Sequence, residues 1–329
     1  MQLMHPDAAI QDPLPAWCTT RSRIYWYDQY ALNEQDTAFA RYDPDRIAAE
    51  LLATGADVIA LYAANQQSVA YYPSAIWPQH PNLQGRDYVG ELMARLRPAG
   101  KKILLYINWL DSKHAEWNVQ YLDHDPAAQR TEQPLASWAD PAHPNGRVQT
   151  GHWQLPCLNS PKREQVVAIA RELCARYQPD AFHLDMVFTT DICVCNYCRP
   201  HLEKICGTRD ISRAAVHANW AAYIDWYRGC SASLIGAVSA VLREHGVIAA
   251  HNAFMPLFQP ALRGVDEGWL PALDVYVSEC FDAFHMADTN AASITVRWQH
   301  AVGKPAWILR TSHPMYYAHW PITQAQWQL

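Results

Sequence analysis

Charge is scarce in this 329-residue chain: only 18% of residues are Asp, Glu, Lys or Arg, and the net charge is −6 with no block of like sign. Nucleic acids and anionic membranes bind clustered Lys and Arg, so the balance argues against both as partners. No segment stays apolar for the roughly 18 residues a membrane-spanning helix needs. The first thirty residues also lack a basic stretch followed by an apolar run, so no secretory leader is expected there. Phenylalanine is rare, with 7 residues against 14 Trp and 17 Tyr. Amphipathic rings of the latter kind suit a wet site as well as a core. Half of the residues are hydrophobic, enough for a sizeable core in one large α/β barrel or two ordinary domains.

Short β-branched or aromatic runs alternate with segments of helical period, which is the pattern of βα units around a parallel sheet. Strands are expected at Ile24 to Asp28, Val58 to Tyr62, Ile103 to Asn108, Ala181 to Val187, Val247 to Asn252, Val275 to Cys280 and Trp307 to Thr311. Helices are expected at Pro44 to Ala53, Asp87 to Leu96, Pro161 to Tyr177, Ser212 to His245 and Asp288 to Val302. In the third, Ser160 reads as the N-cap and Val166, Ile169, Ala170, Leu173 and Cys174 form an apolar stripe. No glycine-rich turn follows Asp28, which ranks a (β/α)8 barrel above a doubly wound nucleotide fold. Only 18 residues follow Thr311, so the barrel is expected to be incomplete at its eighth strand. The expected division is an N-terminal extension over 1–20 and a barrel over 21–329.

Long connections follow the third and fourth strands, about Trp109 to Cys157 and Phe188 to Asp210. In a (β/α)8 barrel the loops after the strands build the active face. Asp185 ends the apolar run Phe182-His183-Leu184-Asp185, and Glu279 ends Val275-Tyr276-Val277-Ser278-Glu279. A carboxylate in such a run must pair or face a cavity. Two carboxylates meeting across a cleft are the minimum equipment for cleaving a glycosidic bond. The competing reading makes each a structural acid, paired for example with Arg310. Asp28, Tyr62, Asn108, Trp109, His183, His251, Asn252 and Arg310 lie at or near strand ends and are candidate sugar contacts.

Nine cysteines is an odd count, and three fall in Cys193-Val194-Cys195-Asn196-Tyr197-Cys198. That spacing suits thiolates on a metal better than a secreted disulfide framework, so a reducing, cytoplasmic setting is expected. Cys157 is the candidate fourth ligand, with Cys206 and His201 as rivals. A shell closed by four protein ligands makes the ion structural and leaves no site for a catalytic water.

The segments Tyr71-Tyr72-Pro73-Ser74 through His80-Pro81-Asn82-Leu83, Gly85-Arg86-Asp87, Gly90-Glu91, Lys102-Ile103-Leu104-Leu105-Tyr106 and His114-Ala115-Glu116-Trp117 resemble the hypothetical glycosyl hydrolase barrel family. That family is distantly similar to the family twenty-nine alpha-L-fucosidases and to beta-galactosidases with a trimerisation domain. The likeness runs from about Ile24 to Cys198. The cysteine pattern is similar to the zinc cluster of the family forty-two beta-galactosidases, which implies structural zinc on Cys157, Cys193, Cys195 and Cys198. Those galactosidases carry a nucleophilic Glu on the seventh strand, whereas Trp307-Ile308-Leu309-Arg310-Thr311-Ser312 offers no carboxylate. The fucosidase pattern, with its nucleophilic Asp ending the fourth strand, matches Asp185. The resemblance thus implies a retaining glycoside hydrolase acting on a carbohydrate, with Asp185 as nucleophile and with further C-terminal domains; its acid is less fixed in position, and Glu279 is the remaining candidate for acid and base. A non-catalytic carbohydrate-binding barrel is the alternative. The exposed edges of an unfinished barrel lead us to expect a homo-oligomer.

Overall fold

Every strand of the sheet runs parallel to its neighbours, and spatial order follows chain order from β1 to β7. The computed structural model describes residues 14–20, 22–27, 29, 38–110, 114–120, 122, 155–188, 192–252, 267–279, 297, 301 and 303–309. The strands are β1 (Ile24–Tyr27), β2 (Val58–Tyr62), β3 (Lys102–Asn108), β4 (Ala181–Asp185), β5 (Ile248–Asn252), β6 (Val275–Glu279) and β7 (Ala306–Leu309). The helices are α1 (Ala16–Thr19), α2 (Pro44–Ala53), α3 (Tyr88–Leu96), α4 (Lys162–Tyr177), α5 (Arg199–Cys206), α6 (Arg213–Ala218) and α7 (Trp220–Glu244). Asp28, Arg310, Cys280 and nearly all of the segment Asp288 to Val302 lie outside the described residues.

The sheet is rolled rather than flat. Trp26 on β1 and His183 on β4 are three strand spacings apart, about 14 Å in a flat sheet. Their ring centroids are nevertheless 4.9 Å apart. Only a sheet curled with those side chains inside permits that contact, which gives an α/β, TIM-type barrel with seven strands among the described residues.

Local sequence explains the helices. Asp43 caps α2 by accepting from the Asp45 and Arg46 amides at 3.0 and 3.1 Å, and Pro44 supplies a preset first turn. Asp87 caps α3 through the Gly90 amide at 2.9 Å. Gly100 and Gly246 take φ of 75° and 67° just before β3 and β5, a left-handed turn that a side chain would resist.

The apolar stripe of α4 is buried as its period requires. Its start differs from expectation: the cap position is Pro161, and the buried Ser160 hydroxyl has no partner. The segment Ser212 to His245 is two helices broken at Asn219, because the Asn219 amide group folds back onto the Ala215 carbonyl at 3.0 Å. Within the connection Phe188 to Asp210 the chain forms α5, with Pro200 in its first turn and Gly207 ending it at φ 68°. β4 stops at Asp185, two residues short of Val187, for a reason that bears on the site below.

Residues 14–20 pack beneath the barrel. The α1 residue Trp17 lies 5.8 Å from the β7 residue Trp307, whose indole donates to the Cys18 carbonyl at 3.2 Å. The Lys102 ammonium at the start of β3 sits 5.9 Å from the Trp17 ring. Burial, with Asp274 and Asp180 nearby, pushes the Cys18 thiol up to about 12. This short helix therefore seals the end of the barrel opposite the strand tips.

Candidate active site

The strand registers stack inward-facing residues into layers. Tyr62, Tyr106 and His183 are aligned across β2, β3 and β4. One step nearer the strand tips, Asn108 aligns with Asp185, and Asn252 on β5 aligns with Val277 on β6. The lower layer is aromatic: Tyr106 is sandwiched between Tyr62, at 4.0 Å, and His183, at 5.4 Å, both nearly parallel to it. Trp26 closes that layer edge-on and donates its indole N–H to the Tyr62 hydroxyl at 3.1 Å. Rings so confined have one available rotamer each, so the floor is rigid.

Asp185 sits on this floor, 5% exposed. Its Oδ2 accepts from the Tyr106 hydroxyl at 2.7 Å, while Oδ1 accepts from the Asn252 side-chain amide and from the Met186 backbone amide, each at 2.7 Å. Three short donors converge on one carboxyl and fix its orientation. Met186 adopts φ 61°, a left-handed conformation that costs a non-glycine residue about 1 kcal/mol. That turn ends β4 directly after the residue whose carboxylate accepts the Met186 amide. Strain located beside a buried, oriented acid is the pattern of a functional position.

The other candidate contacts separate into two groups. Asn108 and Asn252 share the layer of Asp185, and the buried Asn108 Nδ2 has no hydrogen-bond partner. Tyr62 and His183 form the floor beneath. Trp109 and His251 point elsewhere, as strand alternation requires of neighbours of inward residues. Trp109 is fully buried and its indole donates to the Pro156 carbonyl at 2.9 Å, so its faces offer no sugar platform. His251 faces α7, where Nε2 pairs with the Ser239 hydroxyl at 3.1 Å, and its Nδ1 accepts the Leu184 amide at 3.1 Å. The backbone of Glu279 closes β6 in register with Leu309, two strands from Asp185; its side chain lies outside the described residues, as do Asp28 and Arg310. Tyr106 and Met186 were missed in the sequence. Tyr106 stands two residues before Asn108 on the same strand, so alternation alone marks it as an inward neighbour.

Burial pushes both His183 and His251 down to about 3, so each is neutral at ordinary pH. Because the folded value is depressed below 6.5, the unfolded chain binds protons first as pH falls, and stability is lost below about 6.5. Between pH 7 and pH 5 the loss should be roughly 2 kcal/mol per histidine. Urea midpoints measured at both pH values check this. An acid-insensitive midpoint would contradict the neutral, buried assignment.

Cys157, Cys193, Cys195 and Cys198 are all buried, and their sulfurs lie within 4.8 Å of one another. The Cys157 and Cys198 sulfurs are 3.2 Å apart. A tetrahedral ion with metal–sulfur bonds of about 2.3 Å separates its ligands by about 3.8 Å, so the four thiols fit one such ion. Cys206 and His201 stand outside the group. Backbone and side-chain N–H groups of Asn159 reach the Cys157 and Cys198 sulfurs at 3.3 and 3.6 Å, the kind of donor that settles thiolates. Thiol hydrogen bonds hold Cys195 far below the usual thiol range, with Cys157 foremost, and they push Cys157 up, with Cys193 foremost, and Cys198 up, with Cys157 foremost.

The cluster also knots the loops of the strand-tip face. The Cys157 amide donates to the Trp117 carbonyl at 2.7 Å, and the Val194 and Leu122 amides bond to Gln120 and Ile192 carbonyls. Trp109 links this knot to the acid: its indole holds Pro156, and its backbone amide donates to the Asp185 carbonyl at 2.9 Å.

A rolled parallel sheet with an oriented acid at the tip of β4 is a TIM-type barrel with a candidate active site on its strand-tip face. Residues 43–186, a little under half of the chain, match the family model described as hypothetical glycosyl hydrolase 6. Two solved structures show the same fold. One is alpha-L-fucosidase isoenzyme 2 from Paenibacillus thiaminolyticus, 15% identical with TM-score 0.57, the match covering 94% of this chain and 48% of that one. The other is the PgaB (BpsB) glycoside hydrolase domain from Bordetella bronchiseptica, 14% identical with TM-score 0.60, covering 89% and 85%. The chain therefore spans about half the length of the fucosidase and most of the Bordetella domain. No curated protein matches the sequence.

Proposed function

We propose that this protein is a retaining glycoside hydrolase in which Asp185 attacks the anomeric carbon and Glu279 protonates the departing oxygen. The observation that carries the reading is the Asp185 carboxylate, buried at a strand tip and oriented by Tyr106, Asn252 and Met186 on an aromatic floor. In the first step the bond from the anomeric carbon to the leaving oxygen breaks as a bond to Asp185 forms, and the Glu279 proton goes to the leaving group. In the second, Glu279 takes a proton from water, whose oxygen displaces Asp185. Asn108, with its unpartnered Nδ2, and Asn252 are the neutral groups nearest this chemistry and suit sugar hydroxyls. The likeness to the fucosidase and to the Bordetella glycoside hydrolase domain supports the same class of chemistry.

Cys157, Cys193, Cys195 and Cys198 would hold a structural zinc ion, whose contribution is to pin the loops around the mouth rather than to activate water.

A panel of aryl glycosides tests the reading. Proton NMR of the first sugar released should show the anomer of the substrate. Release of the opposite anomer would make Asp185 a base rather than a nucleophile. Binding of sugars with no turnover of any panel member would leave a carbohydrate-binding barrel instead.

A further inference from the structure

A second feature of the strand-tip end lies on the outer side of the cysteine knot. There α4, α5 and α7 surround an open hollow of about 590 Å³ lined by Asn159, Arg163, Tyr197, His201, Trp226 and Gly229. In a βα unit the helix runs antiparallel to its strands, so the N-terminal halves of α4 and α7 lie at the strand tips, the end that carries Asp185. Trp226 of this lining also belongs to a row of rings along α7. His201 stacks on Trp226 at 5.4 Å, Trp226 lies 6.0 Å from Tyr223, and Tyr223 lies 5.3 Å from Trp220. Trp220 is 38% exposed, a notable cost for a large ring with no role.

Polar groups stand beside the rings. The Arg163 guanidinium spends three N–H groups on the Leu158 and Cys230 carbonyls and the Ser233 hydroxyl. A guanidinium has five, so two remain for another acceptor. Glu164 lines the same hollow, which keeps its charge balanced.

We infer that this hollow is a carbohydrate-binding subsite remote from the catalytic acid, taking a sugar unit of a chain that extends beyond the mouth. A pyranose presents an apolar C–H face and a rim of hydroxyls, and the hollow presents ring faces and paired donors and acceptors. A nucleic acid would call for clustered cations, and Arg163 lies beside Glu164 instead. The inference rests on the glycosidase reading and narrows its substrate to an oligosaccharide or polysaccharide.

Gly229 supplies a clean test. A Cβ built on it meets no atom within 4 Å, and its backbone is helical, so Gly229→Leu projects a side chain into the hollow while improving helix propensity. Calorimetry would use the full chain carrying Asp185→Asn, titrated with cellohexaose, chitohexaose and xylohexaose. At least one should bind, and adding Gly229→Leu should weaken it about tenfold, with Trp226→Ala acting in the same direction. Equal binding by all three proteins, or no hexasaccharide bound by any, overturns the subsite. Hydrolysis of aryl glycosides by the wild type together with that negative result would leave the catalytic proposal standing. Binding lost with Gly229→Leu, in a wild type that cleaves nothing, would keep the subsite and remove the catalytic proposal.

Discussion

Asp185→Asn should lower kcat on a cleavable aryl glycoside about ten-thousandfold with the fold intact. The expectation follows from the hydrogen bonds. The asparagine oxygen can keep the acceptor role toward the Asn252 and Met186 donors, now met by Oδ1. Its amide nitrogen then replaces Oδ2 opposite the Tyr106 hydroxyl, and a hydroxyl can turn from donating to accepting. The Tyr106 proton and the second amide N–H give up an acceptor in this exchange, so the stability cost should be about 1 to 3 kcal/mol. What is lost is the electron pair that would bond to the anomeric carbon. A urea midpoint near that of wild type, combined with the collapse in kcat, separates lost chemistry from lost structure. Wild-type turnover in Asp185→Asn would remove Asp185 from the mechanism.

Much of this arrangement was legible before the fold was known, and the residues that were not show why. Asp185 stood out because an acid ending an apolar strand has few ways to be satisfied. The cysteine knuckle stood out because its spacing is dense and local. Trp109 and His251 were read as mouth residues from their nearness to strand ends, but nearness says nothing about which face a side chain takes. A one-residue offset from Asn108 or Asn252 turns each of them outward. Met186 carries no sequence signal for its left-handed turn, since methionine does not favour that conformation. The role of α1 was also hidden. Four residues give no periodicity to detect, and their value comes from Trp307 and Lys102, which arrive from distant parts of the chain.

The second large effect concerns the cysteine cluster. Purified protein should contain about one zinc ion per chain, and Cys195→Ser should lower stability by at least about 3 kcal/mol. A serine oxygen at neutral pH is protonated and a poor zinc ligand, so the tetrahedron opens and three buried thiols are left without their cation. The segments around Trp117, Gln120 and Ile192 then lose the point that ties them together. The damage should reach the acid only indirectly, through Pro156 and Trp109 to the Asp185 backbone. The protein that remains folded should accordingly turn over glycosides within about threefold of wild type, because a shell of four thiolates holds no reacting water. Metal analysis, urea titration and kcat per folded molecule give the three readouts. Loss of turnover at an unchanged urea midpoint would reverse the assignment and make the ion part of the chemistry.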